Sequence, residues 1–182
     1  MNSIIRNANI DAQSDSSDLV AAASGLVETL RLRTREVDEL ARLPESTVAE
    51  LDAIGAFDLM IPHQYGGLQT SIRTYMEVIS EIGRGDASAG WTCALINICN
   101  WMLAALYPKA VSDPIFASGG KVRSSGVLSP RKAKVKRQPG GILIEEGLWG
   151  FNSGVYHAQW DLLGIPIVNE QGETVDQGLA LV

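Results

Sequence analysis

The stretch from Ala87 to Tyr107 constrains this chain more than any other: it is apolar nearly all the way round a helix, yet it carries Thr92, Asn97 and Asn100. Facing lipid without partners, those polar groups would cost on the order of several kcal/mol. The stretch therefore reads as a buried helix at the centre of a helical layer. Asp86, just before it, is a natural N-cap. Cys93 and Cys99, the only cysteines, are six helical positions and about 9 Å of rise apart, too far for a disulfide. The first eighteen residues have no apolar signal core and read as a disordered tail. Together these features predict a reducing, cytoplasmic setting and no membrane span.

Helical spacing dominates up to about residue 118. It runs through Leu26, Leu30, Arg33 and Val37, with arginines charging much of that surface. The cluster Pro44-Glu45-Ser46-Thr47 predicts a new helix, with Thr47 and Glu50 spaced as a capping box and Gly55 as its terminator. Ile72, Tyr75, Met76, Ile79 and Ile82 predict an amphipathic helix ending at Gly83-Arg84-Gly85.

After residue 120 the pattern changes to short runs rich in Val, Ile, Leu and Trp: 121–128, 133–138, 141–151, 160–168 and 178–182. Pro139-Gly140-Gly141 and the stretch 169–173 read as hairpin connections. Helices followed by strands without alternation predict an α+β chain. Its organisation is then a tail (1–18), an N-terminal all-helical domain (19–118) and an incomplete antiparallel β domain (119–182). The apolar run Leu179–Val182 fits either a paired terminal strand or a fragment.

With 46% apolar and 20% charged residues the chain is not generally disordered, and a net charge of −6 with a pI near 4.9 argues against nucleic acid as a partner. No phosphate-binding loop, metalloprotease helix, nucleophile elbow or metal-spaced cysteine cluster occurs, so no metal is expected. Gly83-Arg84-Gly85 lacks the third glycine and the preceding strand of a dinucleotide fingerprint. His63 sits in a Pro/Gly turn, where a structural role is the ordinary one. His157 lies close after Ser153 and beside Trp160, and fits packing or capping. Five of the seven residues from Arg131 to Arg137 are basic; they could attract an anion or form the wet face of a strand, as the alternation with Ala133 and Val135 suggests.

The strongest local constellation is Gly147-Leu148-Trp149-Gly150-Phe151-Asn152-Ser153-Gly154. A strand with two aromatics, then a hydroxyl and a glycine, offers a flat ligand an apolar wall, a hydrogen-bond donor and room for close approach. It would suit an isoalloxazine ring, and equally ordinary sheet packing.

The run Ile61-Pro62-His63-Gln64-Tyr65-Gly66-Gly67-Leu68, with Glu81-Ile82-Gly83-Arg84-Gly85-Asp86-Ala87-Ser88-Ala89-Gly90-Trp91, resembles the N-terminal helical domain of the acyl-CoA dehydrogenase superfamily. The segment from Gly147 to Gly154, with His157-Ala158-Gln159-Trp160, is similar to the oxygenase components of two-component flavin monooxygenases that share that fold, among them p-hydroxyphenylacetate and steroid-phenol hydroxylases. The resemblance spans about residues 20–182. It implies reduced FMN or FAD from a partner flavin reductase, reaction with O2 through a C4a-hydroperoxide, and hydroxylation of an aromatic or similar apolar substrate.

By the same resemblance Ser153 is the catalytic hydroxyl at flavin N5. Trp149, Phe151, Asn152 and Gly154 join it in binding the cofactor, and Ser129, Asn100 and Trp101 face the substrate. Two features depart from the pattern: Asn97, Cys99 and Asn100 stand where many relatives carry a histidine, and relatives extend into a C-terminal helical bundle that completes the flavin site and a homotetramer. The chain is thus expected to be C-terminally truncated. The rival expectations are an acyl-CoA dehydrogenase-type oxidoreductase and a truncated, non-catalytic chain.

Overall fold

The computed structural model describes residues 2–117 and 121–182, with side chains described from Ser16 onward. Five helices come first: α1 (Asn2–Leu40), α2 (Glu45–Ala53), α3 (Ile72–Gly85), α4 (Ala87–Leu106) and α5 (Lys109–Phe116). Strands β1 (Ser124–Val127), β2 (Lys132–Gln138), β3 (Gly141–Leu148), β4 (Trp160–Val168) and β5 (Thr174–Leu181) follow. The backbone of α1 runs through the segment expected as a tail. The expected domain boundary at 118/119 lies outside the described residues.

The helical layer is built on α1, α3 and α4, whose buried faces share one core with Leu30, Leu51, Phe57, Val78, Ile82 and Ile96. On α3 the face that packs is Tyr75, Val78 and Ile82, while Ile72 and Met76 point outward. Gly85 lets α1 and α3 touch: a Cβ there would lie 2.9 Å from both Leu30 Cβ and Val27 O. The glycines of Gly83-Arg84-Gly85 therefore belong to helix packing.

The capping box does not form. Pro44, extended and with its carbonyl accepting from Val48 N at 3.1 Å, starts α2 before Thr47 is reached. Thr47 is buried inside the helix, and Glu50 is gripped by Arg33 of α1 at 2.6 and 2.8 Å. Gly55 does follow the helix in the left-handed region, φ +72°.

α4 is long and apolar enough to cross a membrane by length and composition, but its asparagines tie it into the fold. Asp86 caps it, accepting from Ala89 N at 2.7 Å. Asn97 donates to the carbonyls of Ala56 (2.7 Å) and Cys93 (2.9 Å) and accepts from Met60 N.

The expected antiparallel pairing holds for β2–β3 and β4–β5, while the β1–β4 pair is parallel and makes the three-stranded sheet mixed. β1 pairs parallel with β4 (Ser124 opposite Trp160), and β4 pairs antiparallel with β5. The β2–β3 hairpin, a separate two-stranded ribbon, occupies the connection between β1 and β4. That connection is long enough for the chain to return to the starting edge of β1, as parallel pairing requires. Leu103 of α4 and Ile61 close a second core with Ile115, Phe116 and Val122 against Trp160 and Leu181.

Candidate functional site

The loop from 149 to 159 joins β3 to β4, and the constellation from Gly147 to Gly154 begins in the last two residues of β3 and continues along it. It is not a strand: β3 stops at Leu148, and Phe151 (φ +61°) and Gly154 (φ +88°) both adopt left-handed backbone. A left-handed Phe is costly, and such strain persists where surrounding contacts enforce it. Here the two turns throw the side chains of the loop to different sides.

Trp149 folds back onto the sheet, its indole N–H donating to Gly164 O at 2.9 Å. Phe151 is 88% exposed, with the Arg131 guanidinium carbon 5.5 Å from its ring centroid. Asn152, Ser153 and Gly154 turn the other way, into a cleft of about 670 Å³ between the end of α1, the first turns of α4 and the loop itself. Trp149 and Phe151 do not line that cleft.

Ser153 Oγ accepts a hydrogen bond from the Trp91 indole N–H at 3.0 Å. Because that bond uses a lone pair, the serine's own O–H stays available as a donor. Asn152 donates to Asp161 Oδ2 at 2.7 Å, and Asp161 Oδ1 is held by the Ser125 hydroxyl at 3.0 Å. Asn152 Oδ1 is buried and has no hydrogen-bond partner among the described residues. Gly154 presses on α4: a Cβ there would lie 3.0 Å from Ile96 Cγ1.

His157 ends the same loop, only 6% exposed. Burial holds its imidazole below the usual histidine range; Glu45 opposes this, and Arg123 and Arg42 add to it. Arg123, just before β1, fixes the loop, its Nε donating to His157 O at 2.6 Å and its Nη1 to Asp52 Oδ2 at 2.6 Å.

The residues expected to face the substrate are not gathered in this cleft. Asn100 is fully buried and all four of its hydrogen-bonding positions are taken. Its amide donates to Phe57 O and Val122 O, both at 3.0 Å, and its oxygen accepts from Ser124 N (2.9 Å) and Ser124 Oγ (2.8 Å). It is a clamp between α4 and β1 and has no polar atom left for a ligand. Ser129 is exposed beyond β1, and Trp101 lies about 15 Å along α4 from Trp91, 44% exposed. Trp91, in contrast, was not singled out. Its signal was position: one turn after the Asp86 cap, the only large side chain in Ala87-Ser88-Ala89-Gly90-Trp91.

A helical layer whose central helix meets a small mixed sheet, with a hydroxyl and an unpartnered amide oxygen in the seam, has the architecture of an acyl-CoA dehydrogenase-like protein. The family described as acyl-CoA dehydrogenase, N-terminal domain, matches residues 15–108, and the chain belongs to it. The chain is 32% identical over 170 residues to the oxygenase subunit HsaA of a flavin-dependent monooxygenase from Mycobacterium tuberculosis, covering 93% of this chain and 42% of HsaA. The crystal structure of that HsaA superposes with a TM-score of 0.84 at 30% identity, over 92% of this chain and 45% of the other. XiaF from Streptomyces sp., solved in complex with FADH2 and glycerol, superposes with a TM-score of 0.88 at 26% identity, over 97% of this chain and 44% of the other. The oxygenase component of the FADH2-dependent resorcinol hydroxylase of Rhizobium sp. is 30% identical over 144 residues, 79% of this chain and 34% of its own length. The chain thus spans about two fifths of the length of the first of these curated relatives.

Proposed function

We propose that this chain is the N-terminal part of the oxygenase component of a two-component flavin-dependent monooxygenase, which takes reduced FMN or FAD from a separate reductase and uses O2 to hydroxylate an aromatic or similar apolar substrate. The observation that carries the reading is the Ser153 hydroxyl, its oxygen held by the Trp91 indole N–H with its own proton free, in a cleft that Asn152 and Gly154 also line. The names of two of the relatives, an oxygenase subunit and an oxygenase component, point the same way. A cytoplasmic homo-oligomer, tetrameric as the resemblance implies, completes the proposal.

The residues present fit such a cofactor. Reduced flavin, when bound, supplies the electrons that activate O2. Ser153 would offer its free O–H to the ring edge from an oxygen held by Trp91, and Trp91 an aromatic surface beside it. A fixed donor at a reacting atom acts because it needs no reorganisation when charge develops there.

The test is turnover of a phenol by the purified protein with a flavin reductase, NADH and O2, measuring hydroxylated product against H2O2. Ser153→Ala removes one hydrogen bond worth about 1 kcal/mol, so peroxide loss should rise roughly 5- to 10-fold relative to product. An unchanged ratio removes Ser153 from the reaction. Reduction of bound flavin by an acyl-CoA, with no reductase present, overturns the monooxygenase reading in favour of a dehydrogenase.

A further inference from the structure

The far end of the Ser153 cleft holds a second group of polar atoms that the reading above does not use. Arg42, just beyond α1, lines it and has no ion pair or hydrogen bond among the described residues. Ala87 and Ser88, the first two residues of α4, also line it. The Asp86 cap serves Ala89 N, and the Asp86 carbonyl serves Gly90 N, so the amides of Ala87 and Ser88 are left at the positive end of a 20-residue helix. His157, 94% buried by its 6% exposure, lines the same end, and no hydrogen bond is made by its ring nitrogens in the described residues. One carboxylate, Asp38, shares the lining.

His157 is 6% exposed, and its ring nitrogens make no hydrogen bond to the described residues yet are not sealed from solvent, so what remains open of the side chain faces the cleft it lines. Asp38 does not neutralise Arg42 by contact, since no ion pair joins them. Held neutral by its burial, His157 can donate through one ring nitrogen and accept through the other. The helix amides and the guanidinium only donate. Donors of this kind, converging where a helix begins, match an anionic oxygen group.

We propose that Arg42, His157 and the start of α4 form an anion subsite, which takes the acidic group of a flat aromatic ligand whose ring lies toward Trp91 and Ser153. This rests on the oxygenase reading for the identity of the ring. Two ligands of that reading carry such a group: the phosphate of FMN and the carboxylate of an aryl-acetate substrate. Arg42 distinguishes the charged ligand from its neutral analogue, and His157 orients it.

The experiment follows the indole N–H resonance of Trp91 in the ¹⁵N-labelled 182-residue chain during titration with two pairs of probes: FMN against riboflavin, and 4-hydroxyphenylacetate against 4-ethylphenol. The charged member of at least one pair should bind about 10-fold more tightly, the size of one charge-assisted hydrogen bond. Arg42→Ala should bring that member down to its neutral analogue while shifting the analogue less than 2-fold, and Arg42→Lys should keep a several-fold preference. The pair that responds identifies the source of the anion. Equal binding within both pairs, equal losses for both members on Arg42→Ala, or no binding by any probe overturns the subsite. If aryl-acetate binds in an Arg42-dependent way while neither flavin binds, the subsite stands and the flavin reading falls. If riboflavin binds as well as FMN and neither phenol discriminates, the reverse holds.

Discussion

Replacing Asn100 with alanine tests the idea that α4 holds the two halves of the chain together through buried amides. The side chain makes four hydrogen bonds, to Phe57 O, Val122 O, Ser124 N and Ser124 Oγ, and both Asn100 and Ser124 are completely buried. At a net worth of about 1 kcal/mol each, the four bonds amount to about 4 kcal/mol. The Ser124 amide cannot reach water, so its loss carries the full desolvation cost of about 1–3 kcal/mol. Removing the polar amide from the core returns part of this, leaving an expected loss of about 3–4 kcal/mol. With an m-value of about 2 kcal/mol per M for a chain of this size, the urea midpoint should fall by roughly 1.5–2 M. Ser124→Ala, which removes only one of the four bonds, should cost about 1 kcal/mol, and the double variant should cost less than the sum because the two residues share partners. An Asn100→Ala loss no larger than that of Ser124→Ala would refute the clamp and return Asn100 to consideration as a ligand contact.

Gly154→Ala should cost about 1–2 kcal/mol, because φ is +88° and the new Cβ would meet Ile96 Cγ1 at 3.0 Å; urea midpoints read it, and a neutral result would mean the loop is not seated on α4. His157 has a folded-state pKa held below 6.5 by burial, so the unfolded chain takes up its proton first. Its contribution is complete above that pH and is lost as pH falls through the folded value. His157→Gln should therefore flatten the fall in urea midpoint below pH 6.5, and an unaltered slope refutes the assignment. Cys99 is pushed up to about 11 and Cys93 higher still, both by burial, so neither thiol should react with Ellman's reagent at pH 8 until the chain unfolds.

Elements with strong local signals were legible in the sequence. The strand expected over 160–168 is β4 to the residue, the Asp86 cap is present, and both hairpin turns join the strands they were expected to join. What local pattern could not supply was the far partner of a group. Thr47 and Glu50 have capping spacing, but Pro44 starts the helix sooner and Arg33, from another helix, takes both side chains. The substrate role of Asn100 came from the resemblance alone; its clamp partners lie 22 to 43 positions away, where no local pattern reaches. At the site, the residue types at 152–154 were readable. The direction of each side chain was not, since alternation along a strand does not apply where Phe151 and Gly154 turn left-handed.

The same helix explains why a site should form at this seam. α4 reaches the helical loops through Asn97, the first strand through Asn100, and the 149–159 loop through Trp91 and Ile96. Each grip is a hydrogen bond or contact from a rigid helical face, so the Ser153 hydroxyl is positioned by an element whose own place is fixed at several points along its length. The loop in turn is tied to the residue before β1 through Arg123, and to β4 through Asn152 and Asp161. Under the proposed function, a hydroxyl oxygen whose place is fixed in this way would meet a ligand with little reorganisation. That arrangement gives the polar residues of an otherwise apolar helix one common purpose.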